Sequence, residues 1–173
     1  MNLINFIDDD SIKSTESVNY DGWRVRQVVK SVLLNDKKQV ALIYTGAYDV
    51  YKLPGGGFEE GEDLDIAFDR EMLEETGCKA EKTHDLGAFI ERRNERQIFQ
   101  ILYCFIAKVT KIGEPHFDET EQQECHSLIW ADDIDKAIEL VSKNKSNRYG
   151  DKYIRIRDLA TLQKAKEILI KNI

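Results

Sequence analysis

Residues 56 to 78 read GGFEEGEDLDIAFDREMLEETGC, and no other stretch constrains the chain as tightly. Asp63 stands where a helix N-cap belongs, Asp65 falls in the favourable first turn, and Gly77 follows the last periodic residue as a C-cap. Together they predict a helix ending near Thr76, with Leu64, Ala67 and Leu73 offered to the core. Its last third crowds Glu71, Glu74 and Glu75. Residues three and four apart share one face of a helix, so Glu71 sits beside both other carboxylates and the three repel one another. A helix C-terminus also favours cations, so each glutamate in the last turn is disfavoured by ~0.3–1 kcal/mol if exposed. A divalent cation reverses that sign. Clustered hard oxygen ligands with room for phosphate and water suit Mg²⁺, with Mn²⁺ as the alternative. A solvated acidic face is the competing explanation, and for two glutamates alone it would prevail.

The preceding loop weighs against that explanation. Leu53-Pro54-Gly55-Gly56-Gly57 places three consecutive glycines after a strand-like segment, where the backbone can take positive φ and approach a ligand closely. Glycines beside a carboxylate-rich helix point to a metal bound next to a polyphosphate.

At 173 residues with 42% hydrophobic content, the chain is within one-domain length and can bury a substantial core. Residues 1–20 are polar and irregular, an arm or a short edge segment, and 21–173 read as a single domain. The net charge of -7 and pI near 5.1 weigh against a broad grip on duplex nucleic acid or an anionic membrane, while leaving room for a local basic pocket. Cys78, Cys104 and Cys125 are widely spaced and outside any CxxC pattern, so neither a disulfide framework nor a zinc site is indicated. The apolar start is too short for a secretory segment, and nothing later reaches the length of a bilayer span. The expectation is a cytoplasmic protein without a membrane partner; the sequence leaves the oligomeric state open.

Along the chain, Trp23 to Tyr44 carries valines at 25, 28, 29 and 32 that fit helical spacing, but β-branched enrichment and the turn-like Asn35-Asp36-Lys37-Lys38 predict two strands in a hairpin. Tyr48 to Leu53 leads as a strand into the glycine loop. Leu86 to Glu91 and Gln97 to Val109 read as antiparallel strands, Ser127 to Trp130 as another, and 134 to 141 as an amphipathic helix showing Ile134, Ala137, Ile138 and Val141 on one face. A polar loop, Ser142 to Asp151, precedes a last helix over 156–170.

The segment resembles the signature of the Nudix hydrolases, of the MutT-like kind: Gly, five residues, Glu, seven residues, then Arg-Glu-aliphatic-x-Glu-Glu-x-Gly-aliphatic. Gly56, Glu62, Arg70, Glu71, Glu74, Glu75 and Gly77 stand at those spacings, with Met72 and Cys78 at the aliphatic places. The resemblance implies an α/β fold, an α/β/α sandwich with a mixed central sheet, which agrees with the order of elements. It further implies Mg²⁺-dependent cleavage of a nucleoside diphosphate derivative, with Glu71, Glu74, Glu75 and the Gly55 carbonyl as metal ligands. Glu62 is expected to pair with Arg70 as structural support beside Gly56 and Gly77, because a guanidinium fork suits a carboxylate.

Family members take the general base from the motif helix or from a later acidic loop, which here is Asp118 to Glu124; Glu121 and Glu124 are the candidates and Glu75 the competitor. Arg24, Arg26 and Arg93 are candidates for phosphate contacts and Tyr48, Tyr51 or Phe99 for stacking on a base, although lone arginines usually face solvent and aromatics usually the core. The histidines at 84, 116 and 126 show no paired spacing and are read as incidental. Neither the downstream proline of ADP-ribose hydrolases nor the tyrosine of dinucleoside polyphosphate hydrolases is present. By elimination the expectation is a nucleoside triphosphate pyrophosphatase, with an ADP-ribose or nucleotide-sugar pyrophosphatase as the enzymatic alternative and a non-catalytic nucleotide-binding module as the alternative of another class.

Overall fold

The computed structural model describes residues 1–8 and 21–171. Strands β1 (Leu3–Ile7), β2 (Arg24–Leu34), β3 (Val40–Thr45) and β4 (Val50–Lys52) precede helix α1 (Leu64–Thr76). Then come β5 (Lys79–Arg93), β6 (Ile98–Lys111), α2 (Glu119–Gln123), β7 (His126–Ala131), α3 (Ile134–Ser142) and α4 (Tyr149–Lys171). The strands form one mixed sheet in the order β1-β5-β6-β2-β3-β4, with β7 paired to β3. β1 runs parallel to β5 and β2 parallel to β6, whereas β5–β6, β3–β4 and β3–β7 are antiparallel.

Alternation along β2 explains the layers. Val28 and Val32 enter the core beneath α3 and α4, while Val29 and Leu33 enter the core beneath α1, so the strand feeds both faces of the sheet. Val25, before that run, is 67% exposed. The first core is completed by Ala137, Val141, Tyr153, Leu162 and Ala165 from the two later helices, the second by Ala67, Phe68 and Met72 from α1. The result is the α/β/α sandwich expected from the order of elements.

Three details depart from the sequence reading. On α1 the core takes Phe68 and Met72 with Ala67, and Leu73 is 46% exposed. Nine residues at 3.6 per turn place Leu73 about half a turn from Leu64, so both cannot face the sheet. The final helix begins at Tyr149 rather than at 156. Asn144 ties the preceding loop to β4 by hydrogen bonds to both the backbone N–H and the C=O of Tyr51, and burial of Tyr153 fixes the added turns. The acidic loop contains the short helix α2, closed by a capping box in which Asp118 and Glu121 each accept from the other's backbone N–H.

Of the N-terminal segment, β1 lies on the sheet edge against β5, and residues 9–20 fall outside the described residues. Cys78, Cys104 and Cys125 are free thiols. No helix among the described residues is long and apolar enough to cross a membrane.

Candidate active site

The loop that follows β4 lies along β2. Val29 N–H donates to Gly56 O (2.9 Å), Ser31 N–H to Pro54 O (3.1 Å) and Phe58 N–H to Gln27 O (3.0 Å). β2 and β3 pair only at Leu34 and Val40, so the loop satisfies the edge that β3 leaves open. The approach leaves no room for side chains. Gly55 has φ 120°, and a Cβ there would stand 2.2 Å from Val29 O; a Cβ on Gly56 would stand 2.4 Å from Glu71 Oε1. The two glycines let the backbone pass between a central strand and the acidic end of α1.

That acidic end is stitched internally. Asp63 caps the helix by accepting from Asp65 N–H and Ile66 N–H, and Gly77 closes it in the left-handed region. Arg70 forks onto Glu62, with Nε donating to Oε1 (2.7 Å) and Nη2 to Oε2 (2.9 Å). Its Nη2 also donates to Gly57 O, and its Nη1 to Glu71 Oε1 and Glu74 Oε2 (both 2.9 Å). The Arg70 hydrogen bonds, then the Glu59 N–H, pull the Glu62 carboxyl down to about 2. One guanidinium therefore joins the loop to three carboxylates.

Glu71 and Glu75 are buried side by side. Burial, then the charge of Glu75, pushes the Glu71 carboxyl up to about 7. Glu75, 3% exposed, accepts from Gly55 N–H (2.5 Å) and lies 3.6 Å from Lys52 Nζ. Lys30, a charged residue in the middle of β2, donates from Nζ to Leu53 O (3.0 Å) and to Gly55 O. Burial lowers its ammonium to about 8 against the opposing pull of Glu75. The Gly55 carbonyl that the family resemblance assigns to a metal is thus held by a lysine.

A hard divalent cation fits this donor set: two buried carboxylates and an inward carbonyl, matched at present by ammonium and guanidinium groups. As the side chains stand, no three carboxylate, imidazole or thiol groups among the described residues converge closely enough to hold an ion. Glu74 explains much of this, because its side chain is 47% exposed and turned to Arg70.

Opposite α1, α2 brings Asp118 and Glu121 to the cleft. The cleft has two connected parts. One, of about 320 Å³, runs from Glu71 and Glu75 to Lys30, Lys52, Arg93 and Arg157, and the other, of about 370 Å³, extends past Glu74 and His116. Arg26, Glu71, Glu75, Asp118 and Glu121 line both. Glu124 lines neither part and faces a neighbouring cavity instead, so Glu121 is the nearer of the two candidate bases. His126, with its side chain 3% exposed, stands behind them, Nδ1 3.7 Å from Glu121 Oε1 and Nε2 3.3 Å from Glu124 Oε2. Its imidazole is the main cause of a lowered Glu121 carboxyl. The histidines read as incidental therefore include two beside the candidate base and cleft, and their sequence spacing gave no signal of it.

Of the candidate substrate contacts, the structure brings Arg26 and Arg93 into the cleft. Arg24 is exposed and lines none of the described cavities, because the cleft begins further along β2. Tyr51 also lines none of them: alternation along β4 turns Lys52 to the cleft and Tyr51 to the other face, against Tyr44. Phe99 packs on Trp23 (5.1 Å between centroids), and the face of Tyr48 carries Arg148 (3.5 Å to the centroid).

Sequence reasoning missed Lys30, Lys52 and, apart from Arg93, the buried set behind them. Arg157 donates to Asp158 (2.7 Å) and contacts Glu91 (3.3 Å), Arg93 and Gln100 donate to Glu91, and Asp158 accepts from Leu53 N–H (2.8 Å). These residues come from β5, β6 and α4 and clamp the start of the glycine loop.

A glycine loop is pinned to a central strand against an acidic helix end, with ammonium and guanidinium groups lining the same cleft. The NUDIX domain family matches residues 24–146, and the chain belongs to that family. It is 34% identical over 91 residues to a Bacillus subtilis (strain 168) protein provisionally named 8-oxo-dGTP diphosphatase, covering 52% of this chain and 57% of that one. Mouse (Mus musculus) diphosphoinositol polyphosphate phosphohydrolase 3-alpha is 29% identical over 101 residues, 58% of this chain and 60% of that one. The chain thus spans under two thirds of the length of these relatives. Among solved structures, the E. coli ORF135 protein superposes with a TM-score of 0.55 at 18% identity, covering 84% of this chain and 91% of that one. A UDP-X diphosphatase superposes with 0.54 at 21%, covering 90% and 66%. These two likenesses show the fold.

Proposed function

We propose that the protein is a cytoplasmic, Mg²⁺-dependent pyrophosphohydrolase that converts nucleoside triphosphates, ordinary or oxidised, to the monophosphate and pyrophosphate. The observation that carries this reading is the pairing of two walls across one cleft. Buried Glu71 and Glu75 face Arg26, Lys52 and Arg93, with the glycine loop between them. Carboxylates on one side suit a cation and cations on the other suit phosphates. The relative provisionally named an 8-oxo-dGTP diphosphatase supports the choice of a triphosphate.

Glu71, Glu74 and Glu75 with the Gly55 carbonyl would hold Mg²⁺, with Mn²⁺ as substitute. Such an ion would supply charge neutralisation at the phosphates and activation of the attacking water. Arg26 and Lys52 orient the phosphate chain. Glu121 accepts the proton of the attacking water, its carboxyl kept ionised by His126. Arg70 and Glu62 fix the loop and helix relative to each other, which holds the carboxylates in register with the substrate.

The test is product release by the purified protein with Mg²⁺ across nucleoside triphosphates, oxidised nucleotides, ADP-ribose and nucleotide sugars. Turnover confined to the triphosphates sustains the reading, and turnover confined to ADP-ribose or sugar nucleotides replaces it. Mg²⁺ should also raise the melting temperature by mass action. No shift at saturating Mg²⁺, with or without nucleotide, would remove the metal site.

A further inference from the structure

The triphosphate reading leaves a neighbouring cavity unused. It encloses about 160 Å³ and shares Lys52, Arg93 and Ile154 with the cleft. Lys52 Nζ is 3.6 Å from Glu75 Oε1, so this second cavity starts one side chain away from the acidic wall. Arg96 and Arg148 complete its cationic lining, against the carboxylates of Glu124 and Asp151.

Those two carboxylates do not neutralise it. Each approaches Arg148 only at 3.9 Å, and Asp151 is engaged by the Ser146 hydroxyl at 2.5 Å. Arg96 has no ion pair or hydrogen bond among the described residues. It rests over Gly150, where even an added Cβ would stand 3.4 Å from Nη2. Arg148 is held over the ring of Tyr48, its Cζ 3.5 Å from the centroid, which lowers the entropy cost of ordering it around a ligand. Burial, then the like charge of Arg93, lowers the Arg26 guanidinium against the opposing pull of Glu71, with Arg96 and Arg24 adding to the lowering. In a chain of net charge -7, an unpaired Arg96 beside an Arg148 whose carboxylates stay at 3.9 Å is matched to an anion from outside.

The lining also says which anion. Its apolar side chains are Val50 and Ile154, and the one aromatic ring face is already covered by Arg148, so a nucleobase finds no stacking surface. A compact group with several acceptor oxygens meets several guanidinium donors.

We propose that this cavity binds a phosphomonoester carried by the substrate away from the scissile anhydride, so that the preferred substrate bears a second, separate phosphate. The inference rests on the pyrophosphohydrolase reading for its term substrate. Such a phosphate can sit on a ribose or on a polyol ring, and binding distinguishes the two.

The test compares wild type with Arg96→Gln, Arg148→Gln and the double variant by calorimetry without metal, after circular dichroism has shown each variant folded. The ribose arm sets adenosine 3′,5′-bisphosphate against adenosine 5′-monophosphate. The polyol arm sets inositol hexakisphosphate against inositol 1-phosphate. The wild type should favour the more phosphorylated member of at least one pair by roughly tenfold or more, the scale of charge-assisted hydrogen bonds. The double variant should lose that preference while binding the simpler member within about twofold of wild type. Equal affinities in both pairs, or a preference that survives in the double variant, overturns the inference. Mg²⁺-dependent turnover of nucleoside triphosphates is read separately in the wild type. Its absence beside an arginine-dependent preference sinks the triphosphate reading and leaves the phosphate site, and its presence without the preference does the reverse.

Discussion

The acidic wall of the cleft and the basic side, which runs on into the neighbouring cavity, handle charge differently. On the α1 side every glutamate has an internal partner: Glu62, Glu71 and Glu74 share Arg70, and Glu75 has the Gly55 N–H and Lys52. Opposite it Arg26, and in the neighbouring cavity Arg96, have no ion pair among the described residues, and Arg148 of that cavity meets its carboxylates only at 3.9 Å. The acidic wall is held together by charges that a metal would supplement, and mutations there should disturb both stability and turnover. On the basic side Arg93 and Lys52 are tied to Glu91 and Glu75, whereas Arg26 and Arg96 hold nothing together and are available to ligands. Charged groups that stabilise and charged groups that bind are thereby separated by a few ångströms.

The largest effect expected is on turnover. Glu75→Gln keeps shape and removes charge, and should lower kcat by roughly 10²–10³-fold, the range seen when one preorganised electrostatic group is lost. The fold should persist, since relief of repulsion with Glu71 offsets the weaker contact to Gly55. Undiminished hydrolysis would end the assignment of Glu75 to the metal.

Next in size is the effect of removing the shared guanidinium. Arg70→Met strands three carboxylates of a partly buried network and should cost about 2–4 kcal/mol, read as a shift of the urea midpoint. Arg70→Lys should recover only part of this, because an ammonium cannot fork onto Glu62 while reaching Gly57 and Glu74. Equal stability of wild type and Arg70→Met would mean that the acidic wall does not depend on its internal cation.

The pH dependence sharpens the comparison further. The Glu71 carboxyl is raised from 4.5 to about 7, so the folded state holds this proton more tightly than the unfolded chain. The resulting stabilisation is present at acid pH and is lost as pH rises across that interval. In metal-free protein, stability of the wild type should decline over this window relative to Glu71→Gln, whose amide does not titrate. Parallel pH profiles for the two proteins would refute the coupling.

The smallest effect belongs to the basic side. Arg96→Gln should change stability by less than about 0.5 kcal/mol, in either direction, because it breaks no ion pair and relieves crowding with Arg26. A drop of more than about 1–2 kcal/mol would make Arg96 a structural residue and erase the contrast.

Legibility followed sequence distance. The motif helix, its caps and the clustered carboxylates are local features, set by spacings of two to four residues that helix geometry converts directly into neighbours. The fork of Arg70 on Glu62 spans one loop and is readable for the same reason. The strands of the hairpin were ambiguous until the sheet gave Val28 and Val29 opposite cores. The placing of Leu73 failed because an apolar residue was counted toward the core without its angle around the helix.

The sequence by itself determined the family signature, the acidic helix with its two ends, and the glycine loop, since each depends on chemistry within a short stretch of chain. Only the tertiary structure decided where the cations stand. Lys30 and Lys52 lie on strands where a polar residue reads as solvent-facing. Arg157 meets Glu91 across 66 positions, His126 falls behind Glu121, and Arg96 and Arg148 converge from two separate elements. Such meetings leave no periodic trace in the chain, because they arise when the sheet brings distant segments into register and burial makes their charges matter to one another.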